Sequence, residues 1–145
     1  MNLFELQRNA NAIDIKGLFR DVLLDVSTQN MIVELQKEQL LQGKDSTGND
    51  IEPQYRNAYY SAMKQGMNSL PVYRTPDLKL TGAFYRAIYF DTGKMNLTSS
   101  DSKTASLKEK YGEGILGLNE DSLEKLRPDY IQKVEGRFVA QLIGG

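Results

Sequence analysis

The sequence predicts an α+β fold in one domain, with a long N-terminal helix and a C-terminal helix packed against a small antiparallel hairpin. Three observations carry this expectation. Ile15, Leu18, Phe19, Val22 and Val26 share one face of a helix, and the pattern resumes at Val33 and Leu40. Near the other end, Ile131, Val134, Phe138 and Leu142 recur at i, i+3, i+7 and i+11 before Gly144. Between them stand Ile88-Tyr89-Phe90, the turn Asp91-Thr92-Gly93-Lys94, and an alternating Met95, Leu97 and Ser99, which together spell a β-hairpin. A chain of 145 residues is long enough to bury one core, so residues 1–145 are read as a single domain.

The elements follow in order. Residues 1–12 read as a short arm or frayed helix, because Leu3, Phe4 and Leu6 are diluted by Asn9 and Asn11. Asp14 is placed to cap the long helical pattern. The polar cluster Ser27-Thr28-Gln29-Asn30 interrupts that pattern, so two helices or one kinked helix both satisfy it. Residues 42–53, QGKDSTGNDIEP, are turn formers with Ile51 as their only large apolar side chain, and predict a flexible loop. Pro53 opens the next helix, with Tyr55, Tyr59, Ala62 and Met63 along one side and Gly66 to end it.

The stretch from Pro76 to Ile88 is the expected architectural centre. Leu80, Phe84 and Ile88 recur at helical spacing and are assigned to the core. Gly82 suits a positive φ or a close backbone approach, and Thr81 can cap the turn beside it. No titrating pair accompanies this stretch in the sequence. Beyond the hairpin, Ser100, Asp101 or Ser102 caps a helix running to Tyr111, with Gly112 past its end. Asn119-Glu120-Asp121 opens the last helix, which Pro128 restarts.

Composition narrows the chemistry. There is no cysteine and no histidine, which removes thiolate catalysis, cysteine zinc sites and the commonest general base. Lys plus Arg total 18 against 19 Asp plus Glu, so the net charge of -1 offers no field to gather nucleic acid. No run reaches the roughly 20 apolar residues of a membrane helix, and the first residues are too polar for a signal peptide. Asp45, Thr47, Asn49 and Glu52 alternate oxygen donors, but glycine and glutamate do not stand where a calcium loop needs them. Tyr55, Tyr59, Tyr60 and Tyr73 near Arg56, Lys64 and Arg74 superficially resemble a base-stacking surface, although tyrosine is equally at home at a core edge or an interface. Gly112, Gly114 and Gly117 follow no strand and precede no Gly-Lys-Ser/Thr, so they form no phosphate loop. The sequence therefore yields no catalytic, cofactor-binding or metal-binding residue, and a non-enzymatic role is expected.

Several motifs gain weight from their order. Gly43 and Gly48 precede Pro53-Gln54-Tyr55 and a tyrosine-rich helix carrying Lys64. Pro71-Val72, Asp77-Leu78 and Leu80-Thr81-Gly82-Ala83-Phe84 follow, and then Leu107-x-x-Lys110-Tyr111-Gly112 with Ile115-Leu116-Gly117-Leu118. This series, a little over half the chain, resembles the virion-morphogenesis family of tailed bacteriophages, the small tail-completion and head–tail joining proteins. Leu80-Thr81-Gly82-Ala83-Phe84 matches the family's turn, while Tyr55 stands where the usual tryptophan would be. The resemblance implies a structural α+β subunit that assembles as a ring in the virion, built in the host bacterial cytoplasm. Its partners would be other copies of itself and neighbouring portal, connector or tail proteins, with DNA in the ring lumen as a further candidate contact and no membrane. The alternative is a cytosolic protein-binding adaptor or nucleic-acid-binding module without catalysis.

Overall fold

A computed structural model describes residues 2–144. The fold is α+β, as the sequence predicts. The chain opens with three helices, α1 (Leu3–Ala12), α2 (Ile15–Leu23) and α3 (Val26–Leu41), so the long pattern from Ile15 to Leu40 is two helices, one of the two arrangements its interruption allows. After a long connection come α4 (Ala58–Met67), the single turn α5 (Ala83–Arg86), strands β1 (Ile88–Asp91) and β2 (Asn96–Ser99), α6 (Thr104–Tyr111) and α7 (Glu120–Gly144). A 3-10 turn, Glu113–Ile115, lies between the last two helices.

The N-terminal arm is a complete helix. Asn2 and Glu5 form a reciprocal capping box, with Glu5 N donating to Asn2 Oδ1 at 2.9 Å and Asn2 N to Glu5 Oε2 at 3.2 Å. None of its side chains is buried, and it leans on the end of α7, where Asn9 Nδ2 donates to the Leu142 carbonyl at 2.9 Å.

The chain breaks between α2 and α3 at Leu24-Asp25, not at the polar cluster Ser27–Asn30. Those residues lie inside α3 because the surrounding structure satisfies the side chains of Ser27, Thr28 and Gln29, while Asn30 is exposed. Gln29 Nε2 donates to the Leu23 carbonyl at 3.0 Å, and Lys133 Nζ donates to the hydroxyl oxygens of Ser27 and Thr28 at 3.1 and 2.9 Å. Asp25 occupies the cap of α3 without bonding its first turn, since its carboxylate pairs with Arg137 of α7.

Two buried glutamines organise the inner face of α3. Gln36 donates to the Ile115 carbonyl at 3.2 Å and accepts from Gly117 N at 2.6 Å. Gln39 donates to the Gly117 carbonyl and accepts from Asn119 N, both at 2.8 Å. The two side chains act as a short ladder for the otherwise unpaired backbone of 115–119, which is why an amphipathic count over Val33 and Leu40 alone misses this face.

The main core gathers Ile32, Leu35, Leu40, Phe84, Ile88 and Ile115 with their neighbours. A second cluster of Leu18, Val22 and Val134 sits between α2 and α7, and Tyr130 packs against both clusters. The C-terminal stripe thus docks through Val134 and Phe138, whereas Ile131 is 38% exposed. Pro128 lies within one continuous α7 and does not restart it. Asn119, the residue before that helix, caps its first turn, its Oδ1 accepting from Ser122 N at 3.0 Å.

The hairpin forms as expected, with Ile88 opposite Ser99 and Phe90 opposite Leu97. Asp91 Oδ1 fixes its turn by accepting from Gly93 N at 2.9 Å and Lys94 N at 3.1 Å. Phe84 and Ile88 are buried, but Leu80 is 59% exposed, a correction to the expected core. Helical spacing fails there because residues 78–82 are not helical: Leu78 has φ +60° and Gly82 φ +84°, so the chain reverses before α5 begins. Tyr85 takes the vacant core place.

The stretch 42–53, expected to be a flexible loop, carries several anchors. Asp45 Oδ1 accepts from Thr47 N at 2.9 Å and Asn49 N at 3.1 Å, Ser46 N donates to the Gly114 carbonyl at 2.8 Å, and Ile51 N donates to the Gly43 carbonyl at 2.8 Å. Ile51 itself is only 1% exposed, so the lone apolar residue of the loop is a core residue.

Candidate functional site: a tyrosine-walled groove over a buried ion pair

Helix α4 begins at Ala58 with Asn57 as its cap, not at Pro53. Asn57 Oδ1 accepts from Tyr60 N at 3.0 Å. Its buried face also differs from the apolar stripe read in the sequence, because the core side is Ser61 and Lys64 while Tyr59 and Met63 look outward. The reason lies on the segment leading into α5. Lys64 Nζ stands 2.7 Å from Asp77 Oδ1, both side chains being almost wholly buried, and it also donates to the Lys79 carbonyl.

Asp77 is saturated by its neighbours. Its Oδ1 accepts in addition from Lys79 N, and its Oδ2 from Asn68 Nδ2, both at 3.0 Å. Asn68 Nδ2 also donates to the Leu41 carbonyl at 2.7 Å, and the Tyr85 hydroxyl donates to the Asp77 carbonyl. One carboxylate therefore ties the end of α3, helix α4 and the turn before α5 together. The stretch expected to lack a titrating pair holds this one, supplied by a lysine thirteen positions upstream. A buried pair with its lone pairs and protons occupied is a structural tie.

Above the pair opens a groove. Tyr55, Tyr60 and Tyr111 wall a cavity of about 200 Å³ whose lining also includes Leu80, Phe84 and Leu107. Tyr55 and Tyr60 meet edge to face at 4.9 Å. The same three tyrosines border an adjoining, wider hollow of about 610 Å³ with Arg56 and Lys110. Lys79 and Lys103 border the smaller cavity, and Lys110 Nζ lies 5.2 Å from the Tyr111 ring centre. Burial first, and then the Asp77 charge, push the Tyr55 and Tyr85 phenols well above their ordinary value, so both stay protonated.

Tyr55, Tyr60 and Lys64 are thus brought together, as their sequence proximity suggests. Tyr59 is 91% exposed outside the groove, and Tyr73, with Arg74 5.7 Å over its ring, borders a separate small hollow beside Tyr55 and Lys64. Sequence reading missed Lys103, Lys110 and Tyr111, which α6 brings back across some fifty residues, and no local pattern links them to Tyr55. A second hollow, of about 470 Å³, is apolar: Leu23, Phe90, Met95, Leu116 and Leu123 border it, and its charges Lys108 and Glu113 compensate each other at 3.4 Å. Among the described residues no three acidic side chains are grouped to hold a metal ion, and no helix is long and apolar enough to cross a membrane.

These surfaces belong to an α+β domain whose buried polar centre ties its elements together. No protein-family model, curated protein or solved structure matches the chain.

Proposed function

We propose that this chain is a structural subunit of a tailed-bacteriophage virion, a connector, neck or tail-completion protein that repeats as a ring where head meets tail. It acts by binding and carries out no catalysis. The observation that carries the reading is the ordered series of motifs from Gln39 to Leu118, with Leu80-Thr81-Gly82-Ala83-Phe84 at its centre. The geometry supports it in one respect. Large apolar side chains are exposed on two unlike elements, Leu3 and Phe4 on α1 at 80% and 83%, and Tyr59, Met63 and Met67 on α4. A ring is closed by a head-to-tail contact between two different patches, and exposed apolar surfaces of this kind mark interaction sites.

The test is immunogold labelling of the source particles, with negative-stain imaging of the purified chain. Label at the head–tail junction and rings or head-to-tail oligomers at high concentration are expected. Particles without label, together with a tight symmetric dimer at every concentration, would overturn the proposal.

A further inference from the structure

We infer that the tyrosine-walled groove of one copy receives the acidic first turn of α7 from the next copy, an inference that rests on the ring-forming reading. The argument starts with charge. Arg56, Lys79, Lys103 and Lys110 border the groove, and among the described residues none of them lies within ion-pair distance of a carboxylate. The acidic side chain that lines it is Asp101, which accepts from the Lys103 backbone N at 3.1 Å, while Asp77 is paired with Lys64 and is not part of the lining. The groove is left with a surplus of positive charge and calls for an acidic occupant.

Its size narrows the choice. The deeper cavity, about 200 Å³ with an apolar floor, takes one large aliphatic side chain, while Arg56 and Lys110 border the wider hollow of about 610 Å³ that adjoins it. The required occupant is therefore a short acidic segment that carries such a side chain. This chain displays one. Glu120 and Asp121 are exposed and, among the described residues, form no ion pair, while Leu123 beside them is 39% exposed. Groove and acidic turn occupy different surfaces of one chain, so their pairing is heterologous and propagates from copy to copy. Contact between opposite charges at partly desolvated positions sets register as well as affinity.

The experiment uses the full chain and two double variants, Lys103→Glu with Lys110→Glu, and Glu120→Lys with Asp121→Lys. All four positions are exposed, and a melting curve for each variant verifies folding. Sedimentation velocity over a concentration series should show parent self-association that weakens as salt rises. Each variant alone should associate about tenfold more weakly or worse. An equimolar mixture should recover association, because each variant then supplies the surface that the other has reversed.

Variants that associate like the parent, or a mixture that stays monomeric, would overturn the inference. In either case particle labelling could still place the protein at the junction, so the two readings fail separately. A parent that is monomeric throughout overturns the inference as well. So does retention of a fluorescent single-stranded oligonucleotide that the Lys103/Lys110 variant abolishes, which would reassign the groove to nucleic acid.

Discussion

Replacing Asp77 by alanine should be among the most damaging single changes in this chain. Lys64 Nζ would keep its acceptor at the Lys79 carbonyl but lose the carboxylate 2.7 Å away, at a position with 7% of its side chain exposed. Asn68 Nδ2 and Lys79 N would lose acceptors at 3.0 Å in the same step. Leaving one member of a buried pair uncompensated costs about 3–5 kcal/mol. For a chain of this size each kcal/mol lowers Tm by roughly 2–4 °C, so a fall of roughly 6–20 °C is expected. The control is a double-mutant cycle with Lys64→Met and Asp77→Asn. The amide oxygen keeps an acceptor for Lys79 N, and Asn68 Nδ2 retains the Leu41 carbonyl; removal of both charges together is often near neutral, so the double variant should be more stable than Asp77→Asn alone. Urea and thermal unfolding followed by circular dichroism measure both quantities. An Asp77→Ala variant within about 0.5 kcal/mol of the parent, the range of ordinary surface changes, would refute the structural role given to the pair.

Three further outcomes follow from the packing. Phe84→Ala should cost about 3–5 kcal/mol as a cavity in the main core, whereas Leu80→Ala, at an exposed position, should stay within about 0.5 kcal/mol; equal effects in urea titrations would restore Leu80 to the core. In hydrogen exchange on the free chain, the Ile51 and Ser46 amides, which donate to the Gly43 and Gly114 carbonyls, should be protected while the Asp50 amide exchanges fast; uniform fast exchange over 42–53 would show that those anchors do not hold in solution. The raised Tyr55 and Tyr85 phenols bind their protons more tightly folded than unfolded, so stability is fully present below about pH 10 and is lost as pH rises beyond it. Chemical unfolding on both sides of that pH checks the sign, and stability that rises with alkali would contradict the burial of both hydroxyls.

Local signals were legible before any tertiary structure was known. The hairpin from Ile88 to Ser99 is written in its own turn and alternation, because the atoms that fix its register are neighbours in the chain. Gly112 after α6 and the positive φ of Gly82 are equally local, but the cap expected at Ser100, Asp101 or Ser102 falls instead on Lys103, which makes no side-chain bond to the first turn. The sequence by itself also determined that Phe84, Ile88 and Val134 are core residues, through periodicity that requires no knowledge of what covers them. What only the tertiary structure decided is where polar groups go. Lys64 and Asp77 look like a surface cation and a loop acid until folding closes them to 2.7 Å. Gln36 and Gln39 look like solvent-facing residues until the backbone of 115–119 comes to lie against them. The groove is of the same kind, since Tyr111 and Lys110 reach Tyr55 and Tyr60 only when α6 packs back. Apolar burial is non-directional and depends on spacing along one element, whereas a buried polar atom needs one particular partner in one particular place. For this chain those partners lie from thirteen to more than eighty residues away, beyond the reach of any local pattern.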